Sequence, residues 1–358
     1  MGAPKRRARN ASLEAAIGNN PDDDSAFTVY ADWLIEQGDP LGRWIALHQA
    51  MQSDPSAEIG EELASLVETE LRDFLPRLEE RPEWPAVYVR NGFVRTARIS
   101  RFGGKVAYAP RLRKLFTYDS VKFLRGLILA RGVNNKLTPG MDGGLAMLEL
   151  APPTLAALHV GQVLEQRRIA ELYLHDVQRL WETLPGLRKL VLDVTELTLA
   201  PSTATHLEHL EVWIAKWADQ MISSLADVEF PALETLGIHL SVRDLRGLLK
   251  SIHAPKVTDL RVGARGRPML LSEIEAVIEW PGFQNLRRLE LNQPVHPDGG
   301  SSGAFLHRFD SAFAHLEEVR LVQSRFGQFS AVEGIPPYRV LHPMESERNG
   351  DPLKTLWP

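Results

Sequence analysis

The chain has 358 residues, 46 acidic against 41 basic, a formal net charge of -5 and no cysteine. That length allows two domains and a sizeable core. The lack of cysteine excludes disulfides, zinc–thiolate sites and cysteine nucleophiles, and the mild acidity argues against a general nucleic-acid binder, which needs a clustered positive field.

The N-terminus carries Lys5, Arg6, Arg7 and Arg9 with no apolar run behind them, so it does not read as a secretion signal. Arg6 stands where an N-myristoylation motif needs Ser or Thr. No stretch is apolar for long enough to span a membrane. A solvated, disordered basic tail over residues 1–11 is expected, in a cytoplasmic protein. Ser12 is placed to cap a short helix over residues 13–17, closed by Gly18. Asp23 or Asp24 caps the next helix, which puts Phe27, Tyr30, Ala31 and Leu34 on one face and stops at Gly38. Three adjacent acids point in different directions, so Asp22, Asp23 and Asp24 do not read as a metal site. Asp39-Pro40 is a cap followed by Pro in the first turn of a third helix. That helix buries Leu41, Trp44, Ile45, His48 and Met51. Asp32 reads as a polar contact between helices, and Trp33 and Trp44 as core. A fourth helix is expected over residues 57–78, with Pro76 bending it or ending it early.

The stretch NPDDDSAFTVYADWLIEQGDPLGRWIALHQAM resembles the repeat-companion domain that precedes leucine-rich-type repeats, mainly in myxobacteria and planctomycetes. The matching pieces are PDDD, YADWLIEQGDP and GRWIAL. The resemblance implies a bacterial interaction protein with a helical domain over residues 12–85 and repeats downstream. It carries no activity.

Pro82 and Pro85 flank Trp84 and mark the passage to the array, where RNGFVRTARIS reads as the first strand. From Val94 onwards one phrase, LxxLxL, returns ten times. Its first positions, called p, are Val94, Leu124, Leu155, Ile169, Leu187, Leu207, Leu233, Val257, Leu286 and Leu316. Positions p+3 and p+5 are apolar and alternate with outward residues, the period of a half-buried strand. No such strand stands alone, but stacked in parallel they bury a continuous column. The array is similar to leucine-rich repeats. It departs from them in its uneven spacing and in lacking most of the usual Asn; Asn292 lies beside a strand end but not at that position. The expected fold is an α/β solenoid over residues 86–325: an irregular leucine-rich-repeat horseshoe with parallel strands on the concave face and an all-α N-terminal cap. Outer helices are expected over residues 216–226, 242–252 and 272–279, with Ser241 and Ser272 capping two of them. The steps from 155 to 169 and from 169 to 187 leave room only for loop or 3₁₀ returns. Residues 326–358, rich in Pro, are expected to be a C-terminal cap or tail, with Tyr338, Val340 and Leu341 as an added edge strand.

The outward positions p+2, p+4 and p+6 line the face on which such arrays bind. They place His175, Asp193, Trp213 and His239 at p+6, His159, Tyr173 and Glu211 at p+4, and His209 at p+2. Arg98 stands at one end, and Arg261, Arg288 and Arg320 at the other. Trp and Tyr among hydrogen-bonding groups is the composition of an interface hot spot. His175, Asp193 and His239 are metal-ligand types, but His175 and His239 would lie three strands, roughly 14 Å, apart. HLEHLE at 206–211 lacks the zincin spacing, and no phosphate loop or nucleophile elbow occurs. The Gly/Ser-rich stretch at 297–304 reads as a loop. The reading is a non-enzymatic protein-binding module or adaptor, without cofactor or metal. Its partner-binding residues are His159, Tyr173, His175, Asp193, His209, Glu211, Trp213, His239, Arg261 and Arg288. The alternatives are a substrate-recognition subunit of an enzyme complex, or a nucleic-acid binder using Arg261, Arg288 and Arg320.

Overall fold

The computed structural model describes residues 7–76, 87–100, 108–130, 145–161, 173–174, 177–214, 225, 227–240, 245–264, 269–292, 307–322 and 338–341. Its strands are β1 (Val87–Arg90), β2 (Phe93–Ser100), β3 (Gly126–Ala130), β4 (Ala157–Gly161), β5 (Tyr173–Leu174), β6 (Lys189–Val194), β7 (Glu196–Leu197), β8 (Ser202–Thr203), β9 (His209–Ile214), β10 (Val228–Glu229), β11 (Thr235–Leu240), β12 (Asp259–Ala264), β13 (Arg288–Asn292), β14 (Glu318–Val322) and β15 (Tyr338–Leu341). Eleven of them form one open sheet in the order β1-β2-β3-β4-β6-β9-β11-β12-β13-β14-β15. The pair β1/β2 is antiparallel and every other pair in that sheet is parallel. The protein is therefore of the α/β class.

The period-two pattern explains the core. Ala97, Leu127, Leu158, Leu190, Leu210, Leu236, Leu260, Leu289 and Val319 stand opposite one another from β2 to β14. All nine are buried in one apolar cluster together with the first-position leucines of the same copies. Strands of one register must share one face, because side chains alternate with period two. The stack continues into the turns before the strands. The Ala156 carbonyl accepts from the N–H groups of both Arg188 and Lys189, and the carbonyls of Arg188, Glu208, Glu234 and Thr258 each accept in the same way from the next turn. These bonds satisfy the backbone groups of the turns that lead into the strands.

One copy of the motif does not belong. The strand predicted after Ile169 lies outside the large sheet, because β4 pairs directly with β6. Tyr173 and Leu174 instead form β5, which pairs with β7 in a separate two-stranded sheet. A second small sheet joins β8 and β10. Three apolar residues in phase mark a strand but carry no information on which sheet it enters.

The helices are α1 (Ala11–Asn19), α2 (Asp24–Glu36), α3 (Pro40–Ser53), α4 (Ala57–Thr69), α5 (Tyr108–Leu115), α6 (Arg179–Thr183), α7 (Leu245–Ser251), α8 (Leu271–Ile278) and α9 (Asp310–Phe313). Of the outer helices, α7 falls within its predicted span and α8 starts one residue ahead of its own, while the one expected at 216–226 lies almost wholly outside the described residues. Helix α6 occupies a return expected to be loop or 3₁₀. Ser272 does not cap α8: it lies inside the first turn, and the Glu273 carboxylate accepts from the Leu270 N–H at 2.6 Å. The fourth helix ends at Thr69, and Leu71 and Phe74 are buried beyond it.

The N-terminal helices pack on the first edge of the sheet. Asn10 caps α1, in place of the expected Ser12, and Asp23 and Asp39 cap α2 and α3. Asp39 also accepts from the Ala8 N–H at 2.9 Å and pairs with Arg7 at 3.5 Å, while Arg9 pairs with Glu14 at 2.7 Å. Residues 7–10 are thus docked, not a free tail, because their cations meet buried or half-buried carboxylates. Asp32 is exposed and does not join the helices. Phe27, Phe93 and Phe123 share the helical core, and the Trp44 indole N–H donates to the Gly92 carbonyl at 2.8 Å. Asn91 and Gly92, predicted within a strand, form the two-residue turn between β1 and β2 with φ of 49° and 75°. Left-handed values at both positions are what an Asn-Gly hairpin turn supplies.

The acid tract serves this junction. Asp22 pairs with Arg95 and, at 3.3 Å, with Arg125. Asp24 pairs with Arg90 at 3.0 Å and accepts from Asn91 at 2.6 Å. Burial pushes the Arg95 guanidinium down to about 10, against the pull of Asp22. Lys122 lies 3.0 Å from Glu14 and over the rings of Tyr30, Phe93 and Phe123 at 5.1, 5.2 and 5.1 Å. At the other end β15 pairs in parallel with β14, as expected of an added edge strand. The remainder of 326–358 lies outside the described residues.

Candidate functional site

The face opposite the leucine column carries three rows of side chains. Where β3 and β4 pass, Ile128, Ala130 and Ala157 are buried on this face as well, so that end is not open. From β6 to β14 the face carries polar side chains, and its centre is Glu211.

Glu211 gathers neighbours from its own strand and from two others. The Trp213 indole N–H donates to Glu211 Oε1 at 2.7 Å. His239 Nε2 stands 3.7 Å from the same oxygen, and His209 Nε2 and Arg261 Nη1 stand 3.5 and 3.7 Å from Oε2. Burial acts to raise the Glu211 carboxyl, but His209, His239 and Arg261 together outweigh it and hold the group below the usual carboxylate range. Burial lowers the imidazole of His209 against the pull of Glu211. It also lowers the Lys189 ammonium, again opposed by Glu211.

Two glycines make this gathering geometrically feasible. Arg261 on β12 and Glu211 on β9 are separated by β11, where the residue in register is Gly237. A Cβ at Gly237 would stand 2.7 Å from Glu211 Cγ. A Cβ at Gly263 would stand 2.6 Å from His239 Nδ1 and 2.7 Å from Asn292 Cβ. Glycine inside a strand marks such a close approach. His239 leans over that gap and stacks on Trp213, with ring centroids 3.6 Å apart and planes 8° from parallel. His239 is 2% exposed, whereas Trp213 is half-buried.

Five of the ten predicted residues therefore meet: His209, Glu211, Trp213, His239 and Arg261. Asp193 stands in register beside Trp213 on β6. Arg288 lies one strand beyond Arg261 and pairs with Asp259 at 3.6 Å. His159 is on the same face but two strands from Glu211, with Val191 between them. Tyr173 is not on this face at all, since it pairs with Glu196 in the other sheet. His175 lies outside the described residues.

Asp259 and Glu290 belong to the site and were not singled out from sequence, although their outward phase was legible. The buried carboxylate of Asp259 holds Arg261 at 3.4 Å as well as Arg288. Among the described residues, no three His, Asp or Glu side chains converge as metal ligands.

No family model matches the chain, and no curated protein matches it. A solved structure of a Bacteroides fragilis protein is similar over 71% of this chain and 71% of its own, with a TM-score of 0.50 and 15% sequence identity. At that identity the likeness bears on the fold alone. Among the described residues no helix is long and apolar enough to cross a membrane.

Proposed function

We propose that the chain is an interaction module, a repeat-companion-like helical cap followed by an irregular leucine-rich-repeat solenoid, that holds a protein partner on its polar sheet face. From β2 to β15 the strands of the large sheet follow one another in chain order with unbroken register, which supports the solenoid reading. The observation that carries the function is the Trp213–His239 stack. A large aromatic side chain, half-buried, is fixed by a 2.7 Å hydrogen bond to the partly buried Glu211 carboxylate and by the stacked His239 ring. A rigid Trp of this kind loses little conformational freedom on contact and is typical of interface anchors.

The charge pattern favours a protein over a nucleic acid. Arg261 and Arg288 are held by Asp259, and Arg320 by Glu318 at 2.8 Å. Three arginines matched by carboxylates on their own face do not present phosphate with a positive field. A recognition subunit of an enzyme complex would use the same face in the same way.

Trp213→Ala is the test, with Tyr173→Ala as the control on a different sheet. Affinity purification of the full chain from its native cell should lose its specific partner with Trp213→Ala. A hot-spot truncation costs about 2 kcal/mol or more, roughly thirtyfold in affinity. The melting temperature and far-UV circular dichroism should hold. Equal recovery with native chain and Trp213→Ala would remove this face from the function.

A further inference from the structure

We propose that Glu290 is the point at which this face receives a basic side chain, arginine or lysine, of the protein partner. The proposal rests on the docking role of the face and adds the chemistry of one contact.

It follows from matching the charges. Between β6 and β14 the outward cations are Lys189, Arg261, Arg288 and Arg320, and the outward acids are Asp193, Glu211, Asp259, Glu290 and Glu318. Among the described residues the acids outnumber the cations by one, and the geometry at Glu290 is distinctive. Glu290 stands in register between Arg261 and Arg320, yet both arginines turn elsewhere. Arg261 reaches Asp259 at 3.4 Å and Glu211 at 3.7 Å, and Arg320 folds back to Glu318 on its own strand at 2.8 Å. Arg288, two residues along β13 from Glu290, goes to Asp259. Among the described residues no cation lies within ion-pair distance of Glu290.

Its partners would not move without leaving their own acids. Taking Arg261 away from Asp259 would strip a nearly buried carboxylate of a cation, which is strongly unfavourable. Burial meanwhile pushes the Glu290 carboxyl up, and the pull of Arg261 and Arg320 does not fully offset it. A carboxylate held partly desolvated and unmatched on a solvent-facing sheet is suited to a charge brought from outside. A phosphate would be repelled there, and a lone carboxylate flanked by arginines is a poor metal ligand. A lysine or arginine side chain has the reach and the donors.

The probe is N-acetylarginine amide, with its uncharged citrulline analogue, titrated into the full isotope-labelled chain. The Glu290 side-chain resonance and the Trp213 indole resonance are followed by NMR. The arginine compound should saturate and shift Glu290, the citrulline compound should not, and Glu290→Gln should weaken binding about threefold to fivefold, the size of a partly exposed ion pair. Equal binding by Glu290→Gln, equal binding of citrulline, or no saturable binding overturns the proposal. Loss of the cellular partner with Trp213→Ala beside failure of this titration would sink the Glu290 contact and spare the docking face. The opposite pair of results would spare the carboxylate site and sink the face.

Discussion

Two charged regions of this molecule handle their carboxylates in opposite ways. At the junction between the N-terminal helices and the sheet, every acid that matters has a cation: Asp22 with Arg95 and Arg125, Asp24 with Arg90, Glu14 with Arg9 and Lys122. On the open face Glu211 and Asp259 are engaged, whereas Glu290 meets no cation at ion-pair distance among the described residues. A junction internal to one chain is complete when the chain folds, so its charges are matched within the sequence. A face that awaits another molecule can leave a charge for that molecule to match. The two histidines beside Glu211 share its carboxylate with Trp213 and Arg261, His209 at 3.5 Å and His239 at 3.7 Å.

The largest effect that separates the two regions should come from Phe93→Ala. Phe93 packs against Phe27, Phe74 and Phe123 at ring distances of 5.8, 5.8 and 4.9 Å, so its loss should cost about 3–5 kcal/mol in urea unfolding. The Trp213 resonance should be unmoved. A loss below about 1 kcal/mol would mean that the junction is not a packed core.

Glu14→Gln comes next. The Glu14 carboxyl is held down to about 2 from an ordinary 4.5: burial opposes ionisation, and Arg9, Lys122 and Tyr30 overcome it. A depressed acid stabilises the fold above its unfolded value and loses that contribution as pH falls through its folded value. The native chain should therefore lead Glu14→Gln by on the order of 2 kcal/mol above pH 5. The lead should shrink between pH 4.5 and about 2. A constant gap across that window would show that the pairing is not what the side chain contributes.

Glu290→Gln should do the reverse, and weakly. The folded state holds the proton of a raised carboxyl more tightly than the unfolded chain does, so the native residue loses stability as pH rises out of the carboxylate range. The variant should melt slightly higher at neutral pH and no differently in strong acid. A lower melting temperature at neutral pH would mean that the chain itself uses the charge. Such a gain in stability from removing a surface acid is the mark of a residue kept for contact, not for folding.

Much of the architecture was legible because side-chain alternation has a period of two. Leu190, Leu210, Leu236 and Leu289 could be placed on one buried face, and Glu211 and Trp213 on the other, from spacing alone. The Asn91-Gly92 turn was also written in the chain, although its residues were absorbed into a predicted strand. The strand at Tyr173 was misplaced for a different reason: local pattern reports phase, and sheet membership depends on what lies alongside.

The amino-acid order alone determined which residues of the large-sheet strands turn inward and that aspartates cap α2 and α3, since each follows from near-neighbour sterics and burial. Only the folded chain decided that Arg261 meets Glu211 across Gly237, that His239 lies flat on Trp213, and that Glu290 is passed over by the arginines on either side. Those contacts join residues of different strands through long, rotatable side chains. Which of several acids such a side chain selects depends on distances across the sheet that exist only once the strands are in register.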